Sequence, residues 1–152
     1  MSYSRTYRLR WADADANGHV RHSAYGELGA QSRYDWLADD GMSWERIEAM
    51  GIGVVLLREE LDYLRELRMR YEVRIDLELL AMSPDGGRWK LRQHVYAEEG
   101  APVAARMVVL GGWLDLTTRR LVVAPAPLLE LLRRSPRASD FEELPPLRHR
   151  TS

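Results

Sequence analysis

The most informative segment of this chain is WADADANGHVRHSAY, residues 11–25. Its first half is polar and rich in Asp, Asn and Gly, the residues that favour turns. Its candidate functional side chains are Asp13, Asp15, Asn17, His19 and His22. Ser23 follows as a predicted N-cap, because a hydroxyl at that position can accept a backbone N–H of the first helical turn. We therefore expect a polar loop that leads directly into a helix.

The helix after this loop is predicted to run to about Ala38. Its apolar residues recur at helical spacing. They are Tyr25, Leu28, Trp36 and Leu37. The interior glycines Gly26 and Gly29 each cost a helix ~1 kcal/mol relative to Ala, which indicates a close approach by a partner element or a ligand. A short second helix is predicted over residues 43–50, with Ser43 as its N-cap.

Strands are predicted on both sides of the helices. Tyr3 to Trp11 favours a first strand, with Tyr3, Tyr7, Leu9 and Trp11 on one face. After residue 51 the apolar period becomes two, which is typical of strands with one buried and one wet face. These strands are expected over residues 52–64, 69–79, 89–95 and 103–116. Turn-forming residues at 84–87 and 98–102 separate the last three of them.

A closing helix over residues 128–134 completes a predicted domain of residues 1–134, and the Pro- and Arg-rich residues 135–152 are expected to form a loosely held tail. This order predicts an α+β fold, in which an antiparallel sheet of about five strands curls around one long central helix. A curled sheet leaves open edges, and open edges favour pairing with a second copy. A homodimer or a tetramer built from two dimers is therefore expected.

Composition excludes several classes of function. The chain has 152 residues and a net charge of −1, from 22 basic and 23 acidic residues, so no overall field favours nucleic acid or an anionic membrane surface. The absence of Cys excludes disulfides, thiolate metal sites and a cysteine nucleophile. No secretory signal and no apolar run near the ~20 residues of a membrane-spanning helix is found. We expect a cytoplasmic protein.

The residues of the loop alone allow two interpretations. In the first, the loop is a turn whose carboxylates complement the dipole of the following helix. In the second, a carboxylate lies beside backbone N–H groups that stabilise an oxyanion, which is the combination that acyl transfer requires.

The run DADANGHV, followed by SAY at the helix start, resembles the signature of hotdog-fold thioesterases of the 4-hydroxybenzoyl-CoA thioesterase-like group. Its N-x-H-V portion is also similar to acyl-ACP thioesterases. The resemblance extends over about residues 3 to 134 and implies a single hotdog domain. The activity that it implies is hydrolysis of an acyl-CoA thioester to a carboxylic acid and free CoA, with no cofactor and no metal.

The resemblance also implies roles for individual residues. Asp15 matches the catalytic aspartate, as nucleophile or as base for the attacking water, and Asn17 and His19 orient the water or polarise the carbonyl. The substrate-binding residues are His22, Ser23, Ala24 and Tyr25, and the backbone N–H groups around His22 to Ala24 form the oxyanion site. Asp13 is interpreted as structural. Many relatives carry Asn-Asn where this chain has Arg21 and His22.

Glu59 is a second candidate catalytic carboxylate, because it interrupts the apolar face formed by Val55, Leu57, Leu61 and Tyr63. A carboxyl buried on that face has a raised pKa, which suits an acid or a base. The alternative is a slip in register that exposes Glu59 to solvent.

Two other functions compete with acyl-CoA hydrolysis. An acyl-ACP thioesterase acts on chains that are still attached to carrier protein. A non-catalytic protein binds acyl thioesters in the same groove without hydrolysing them. The carboxylate of Asp15 argues against the second, since a pure binder does not need a carboxylate beside the thioester carbonyl.

Overall fold

A computed structural model describes residues 2–148 and shows one long helix, two shorter helices and seven strands. The helices are α1 (His22–Asp39), α2 (Trp44–Ala49) and α3 (Ala126–Arg134). The strands are β1 (Tyr3–Arg8), β2 (Ile52–Tyr63), β3 (Glu72–Met82), β4 (Arg88–Tyr96), β5 (Val103–Asp115), β6 (Leu121–Val122) and β7 (Arg137–Glu143). Among residues 2–148, no helix combines the length and the apolarity needed to cross a membrane.

The strands form one sheet, in which the five long strands follow the order β1-β3-β4-β5-β2 and every neighbouring pair is antiparallel. The short β6 adds to β5, and β7 pairs parallel with the end of β3 that β1 leaves free. The sheet curls around α1, as the sequence predicts. Strand β2 ends the five-strand path, so one of its edges has no neighbour among the described residues.

The core lies between α1 and the concave face of the sheet, because alternate residues of the central strands are apolar. Val73, Ile75, Leu77 and Leu79 of β3 are all buried completely. The close approach predicted at Gly29 is present: a Cβ added there would lie 2.6 Å from the sulfur of Met107 on β5. Glycine at this position therefore lets the helix rest directly on the sheet.

Gly111 of β5 faces Trp89 of β4 across the sheet, and a Cβ at Gly111 would lie 2.2 Å from the buried indole ring. We expect Gly111→Ala to lower the free energy of unfolding by roughly 1–3 kcal/mol, because the added methyl group overlaps the Trp89 ring and forces it to shift. Urea denaturation measures this change. Gly26→Ala is the matched control, since its Cβ would meet no atom within 4 Å, and it should stabilise the helix by up to ~1 kcal/mol. Equal stability of Gly111→Ala and wild type would contradict this packing.

Two sequence predictions near the loop are wrong. Strand β1 ends at Arg8, and Trp11 is 91% exposed at the start of a 3₁₀ turn, because the Asp13 carboxylate accepts the Arg10 backbone N–H and bends the chain. Ser23 is not the N-cap: α1 begins at His22, and Arg21 occupies the cap position. The backbone N–H of Arg21 donates to the Asp13 carbonyl at 2.7 Å, so the start of the helix is set by the loop.

Two other boundaries also differ. Strand β3 begins at Glu72 instead of residue 69, because Met69 donates its backbone N–H to the Gly18 carbonyl in the loop before α1. Within the predicted tail, residues 137–143 form β7. This strand is held by its pairing with β3 and by Asp140, whose carboxylate accepts two hydrogen bonds from Arg92. The last part of the predicted tail, residues 149–152, lies outside the described residues.

Candidate active site

The loop before α1 folds around the carboxylate of Asp15. Its Oδ1 accepts the backbone N–H of Asn17 at 2.8 Å and that of His19 at 3.0 Å. The Asp15 backbone N–H donates to the His19 carbonyl, and Gly18 lies at φ +73°, which closes the turn. The tight turn therefore fixes one carboxylate oxygen, while the side chain as a whole remains exposed.

These hydrogen bonds hold the pKa of Asp15 below its ordinary value of 3.8. The largest cause is the backbone N–H of His19, and the N–H of Asn17 and the nearby imidazoles of His19 and His22 act in the same direction. Asp15 is therefore a carboxylate at neutral pH. An ionised carboxylate can attack a carbonyl carbon or accept a proton from water.

Asp13 has a different environment from Asp15, although only one residue separates them. Its side chain is buried, it accepts hydrogen bonds from the Arg10 backbone N–H and guanidinium, and Arg21 lies 3.8 Å away. The Arg10 side chain is the main cause that lowers the pKa of Asp13. These contacts give Asp13 a structural position beneath the loop.

His19 contributes to the site through its imidazole. Nε2 lies 3.4 Å from Oε2 of Glu66, and the side chain is 24% exposed. Residues 66–68 reach the loop because His19 forms an isolated β-bridge with Arg68. Asn17 contacts Asp15 through its backbone, and its side chain is exposed.

The first turn of α1 forms one wall of the site. His22 is exposed there, and its carbonyl accepts a hydrogen bond from the Tyr63 hydroxyl at 3.2 Å. The ring of Tyr25 packs edge-on against the ring of Tyr63, and burial raises the pKa of Tyr25. These aromatic contacts attach the end of β2 to the helix start.

The residues predicted to form the oxyanion site differ in their environments. The backbone N–H of Ala24 already donates to the Arg21 carbonyl at 3.0 Å, and the residue is fully buried. The hydroxyl of Ser23 accepts a hydrogen bond from the Arg21 guanidinium. Since the first turn of a helix offers its N–H groups no acceptor within the helix, the N–H groups of His22 and Ser23 are the better candidates for oxyanion donors.

An open pocket of about 320 Å³ lies between this helix start and residues 63–67. Among the predicted site residues, those that line it are Asp15, His19, His22 and Tyr25. Sequence analysis missed Tyr63 and Glu66, which also line it. Glu66 lies in an irregular segment without apolar periodicity, so the sequence alone carries no signal for it.

Glu59 does not belong to this pocket. Strand β2 shifts its register on β5 between Leu56 and Arg58, which places the Glu59 side chain 41% exposed and 3.9 Å from Arg33 of α1. The structure therefore favours the alternative, a slip in register that exposes Glu59, over a buried catalytic carboxyl. Within residues 2–148, no three His, Asp or Glu side chains gather closely enough to hold a metal ion.

A long helix wrapped by a curled antiparallel sheet defines the hotdog class of folds, and this chain has that architecture. The chain belongs to the thioesterase-like superfamily, whose sequence profile matches residues 9–132. The matched residues include the loop before α1, the whole of α1, and strands β2 to β6.

Known proteins agree with this fold. A 1,4-dihydroxy-2-naphthoyl-CoA thioesterase from Synechocystis superposes with a TM-score of 0.78 at 16% identity, over 88% of this chain and 97% of that one. A Staphylococcus aureus protein solved in complex with CoA gives 0.80 at 18% identity, over 91% and 89%. A curated Aquifex aeolicus protein, provisionally named an esterase, is 32% identical over 83 residues. That match covers 53% of this chain and 65% of the relative.

Proposed function

We propose that this protein hydrolyses acyl-CoA thioesters, with Asp15 as the group that acts on the thioester. The observation that carries the proposal is the Asp15 carboxylate, ionised and held by two backbone N–H groups in a pocket beside the first turn of α1. The structural relatives support CoA as the leaving group, because one is named as a CoA thioesterase and another was solved with CoA.

Two routes fit this arrangement. In the first, Asp15 accepts a proton from water, and the resulting hydroxide adds to the thioester carbonyl. In the second, the carboxylate itself adds and forms an acyl–Asp15 anhydride that water then cleaves. In both, the carbonyl oxygen becomes an oxyanion that the N–H groups of His22 and Ser23 stabilise, the C–S bond breaks, and the CoA thiolate takes up a proton. We assign the orientation of the water to the His19 imidazole, because His19 lines the same pocket as Asp15.

A competition assay tests CoA against carrier protein as the carrier of the acyl group. The same acyl chain is supplied on CoA and on acyl carrier protein, and kcat/KM is measured for both. The proposal predicts a higher kcat/KM for acyl-CoA. Hydrolysis confined to the carrier-protein substrate would instead support the acyl-ACP alternative, and binding of acyl-CoA without hydrolysis would support a binding protein.

We also propose that the protein is a dimer that forms through the free edge of β2. This edge strand is 12 residues long and exposes Val54, Leu56 and Leu57. Long, apolar, unpaired edges pair readily with another strand.

A substitution in β2 tests the dimer. Light scattering of the wild type should give a mass of two or four times the 17.6 kDa of one chain. Leu57→Lys should reduce that mass, because a buried unpaired charge opposes association. A control substitution must lie on a surface outside β2 and must not touch the core. Glu130→Lys on the exposed side of α3 is suitable. A monomeric wild type would contradict this proposal.

A further inference from the structure

A second cavity of about 390 Å³ lies beside the C-terminal half of α1. It is larger than the pocket of Asp15, and its lining is mostly apolar. We call it the Trp cavity, because its walls include Trp36, Trp44, Trp89 and Trp113. Ligand sites of this size are typically concave and apolar with few polar groups.

The cation in the wall of the Trp cavity already has partners. The Arg33 guanidinium donates to the buried Gln93 amide oxygen at 2.7 Å and lies 3.9 Å from Glu59. Burial is the main cause that lowers the pKa of Arg33. Because this guanidinium already donates to Gln93 and pairs with Glu59, the cavity favours an apolar occupant over an anionic one.

The Asp15 pocket and the Trp cavity lie along the same side of α1, and β2 contributes residues to both. We call the strip between α1 and β2 the α1–β2 groove. On α1, His22, Gly26, Ala30 and Arg33 follow one another at spacings of three or four, which places them on one face of the helix. The first lines the Asp15 pocket and the last two line the Trp cavity.

Strand β2 runs along the same length of α1 in the opposite direction. Its Tyr63 bonds to the His22 carbonyl, its Glu59 approaches Arg33, and its Val54 lines the Trp cavity. These two contacts and the shared lining of the Trp cavity follow the same order along the helix and the strand.

The floor of the groove is made of small residues. Gly26 has open space where a side chain would lie, with no atom of another element within 4 Å of an added Cβ. Interior glycines in a helix indicate that another group approaches the backbone closely, and at Gly29 that group is the Met107 side chain. At Gly26 no packed element accounts for it among the described residues.

We propose, on the basis of the function proposed above, that the acyl chain leaves the Asp15 pocket along the α1–β2 groove and ends in the Trp cavity. The substrate class is then the long, unbranched fatty acyl thioesters. With a helical rise of ~1.5 Å per residue, Ala30 lies roughly 12 Å beyond His22. Since a C–C bond measures ~1.5 Å and a zigzag chain advances less than this per bond, about ten carbons are needed to reach the cavity.

Chain-length dependence of hydrolysis tests this path. For saturated acyl-CoAs of four to eighteen carbons, wild-type kcat/KM should rise with length, by up to about fourfold for each CH₂ that is buried. Gly26→Leu fills the groove and should reduce kcat/KM for the sixteen-carbon substrate at least tenfold more than for the four-carbon substrate. Gln31→Leu, an exposed position of α1 outside the groove, is the matched control and should keep the wild-type profile.

Binding gives a second readout that does not depend on turnover. In an Asp15→Asn background, affinity for the same series should rise with chain length, and Gly26→Leu should remove this rise. A flat or falling wild-type profile, or an equal loss at all lengths in Gly26→Leu, would overturn the proposed path. The wild type could bind long acyl chains in a way that Gly26→Leu abolishes and yet hydrolyse no acyl-CoA. In that case the proposed hydrolysis is wrong and the proposed path of the acyl chain is still supported.

Discussion

Asp15→Asn should reduce kcat for acyl-CoA hydrolysis at least a hundredfold, which is the lower end of what a positioned acid–base group contributes. An asparagine side-chain oxygen can still accept the N–H groups of Asn17 and His19 that the carboxylate accepts. The substitution therefore removes charge and nucleophilicity but keeps the turn. Steady-state release of the CoA thiol measures the effect.

The pH dependence gives a second check on Asp15. Its pKa lies below the ordinary 3.8, so the active carboxylate is fully present above that value and is lost only as pH falls through the lowered pKa. No loss of wild-type activity that depends on Asp15 is expected between pH 5 and pH 8. An Asp15→Asn variant with activity close to wild type would contradict the assignment of Asp15.

Asp13→Ala should lower the free energy of unfolding by roughly 2–3 kcal/mol, the second large effect that we expect. The buried carboxylate accepts the Arg10 backbone N–H at 2.8 Å and the Arg10 guanidinium at 2.9 Å. Removing it leaves that N–H without an acceptor beneath the loop. The Arg10 side chain is itself mostly exposed, which keeps the expected effect below that of a fully buried ion pair. Urea denaturation at neutral pH measures the change.

The sign of the pH effect follows from the lowered pKa of Asp13. Its stabilisation is present above the unfolded-state value of 3.8 and is lost as pH falls through the folded-state value. The difference between wild type and Asp13→Ala should therefore be largest near neutral pH and shrink below about pH 4. Asp15→Asn is the matched control: its side-chain oxygen can still accept the same backbone N–H groups, so a smaller loss of stability is expected than for Asp13→Ala. A variant at Asp13 as stable as wild type would show that the loop does not depend on this carboxylate.

The sequence predicts the fold where a strong local pattern coincides with burial. Strand β3 alternates from Val73 to Leu79 with every second residue in the core, and Ser43 caps α2 by accepting the Arg46 N–H. Both patterns arise from contacts between near neighbours in the chain or from one buried face.

The predictions that are wrong depend on contacts that leave no apolar period in the sequence. Trp11 is apolar and in phase with β1, yet the Asp13 carboxylate bends the chain before it. Strand β7 has a mostly polar sequence, and pairing with β3 and Arg92 stabilises it instead of a buried apolar face. Neither contact leaves a periodic signal in the sequence.

The same distinction applies to the candidate site. Asp15, His19 and His22 lie close together in the chain, and the structure gathers them in one pocket. Tyr63 and Glu66 reach that pocket from another part of the chain, through the bridge between His19 and Arg68. Glu59 depends on the register of β2, and a bulge that cannot be read from alternation alone shifts it.

The most direct test of acyl-CoA hydrolysis by Asp15 is a product analysis by mass spectrometry after incubation of the wild-type protein with a series of acyl-CoAs. We expect free CoA and carboxylic acid in equal amounts, formed in proportion to the protein added and at least a hundredfold more slowly with Asp15→Asn. Acyl-CoA that is bound by the wild-type protein but remains intact for every member of the series would contradict it.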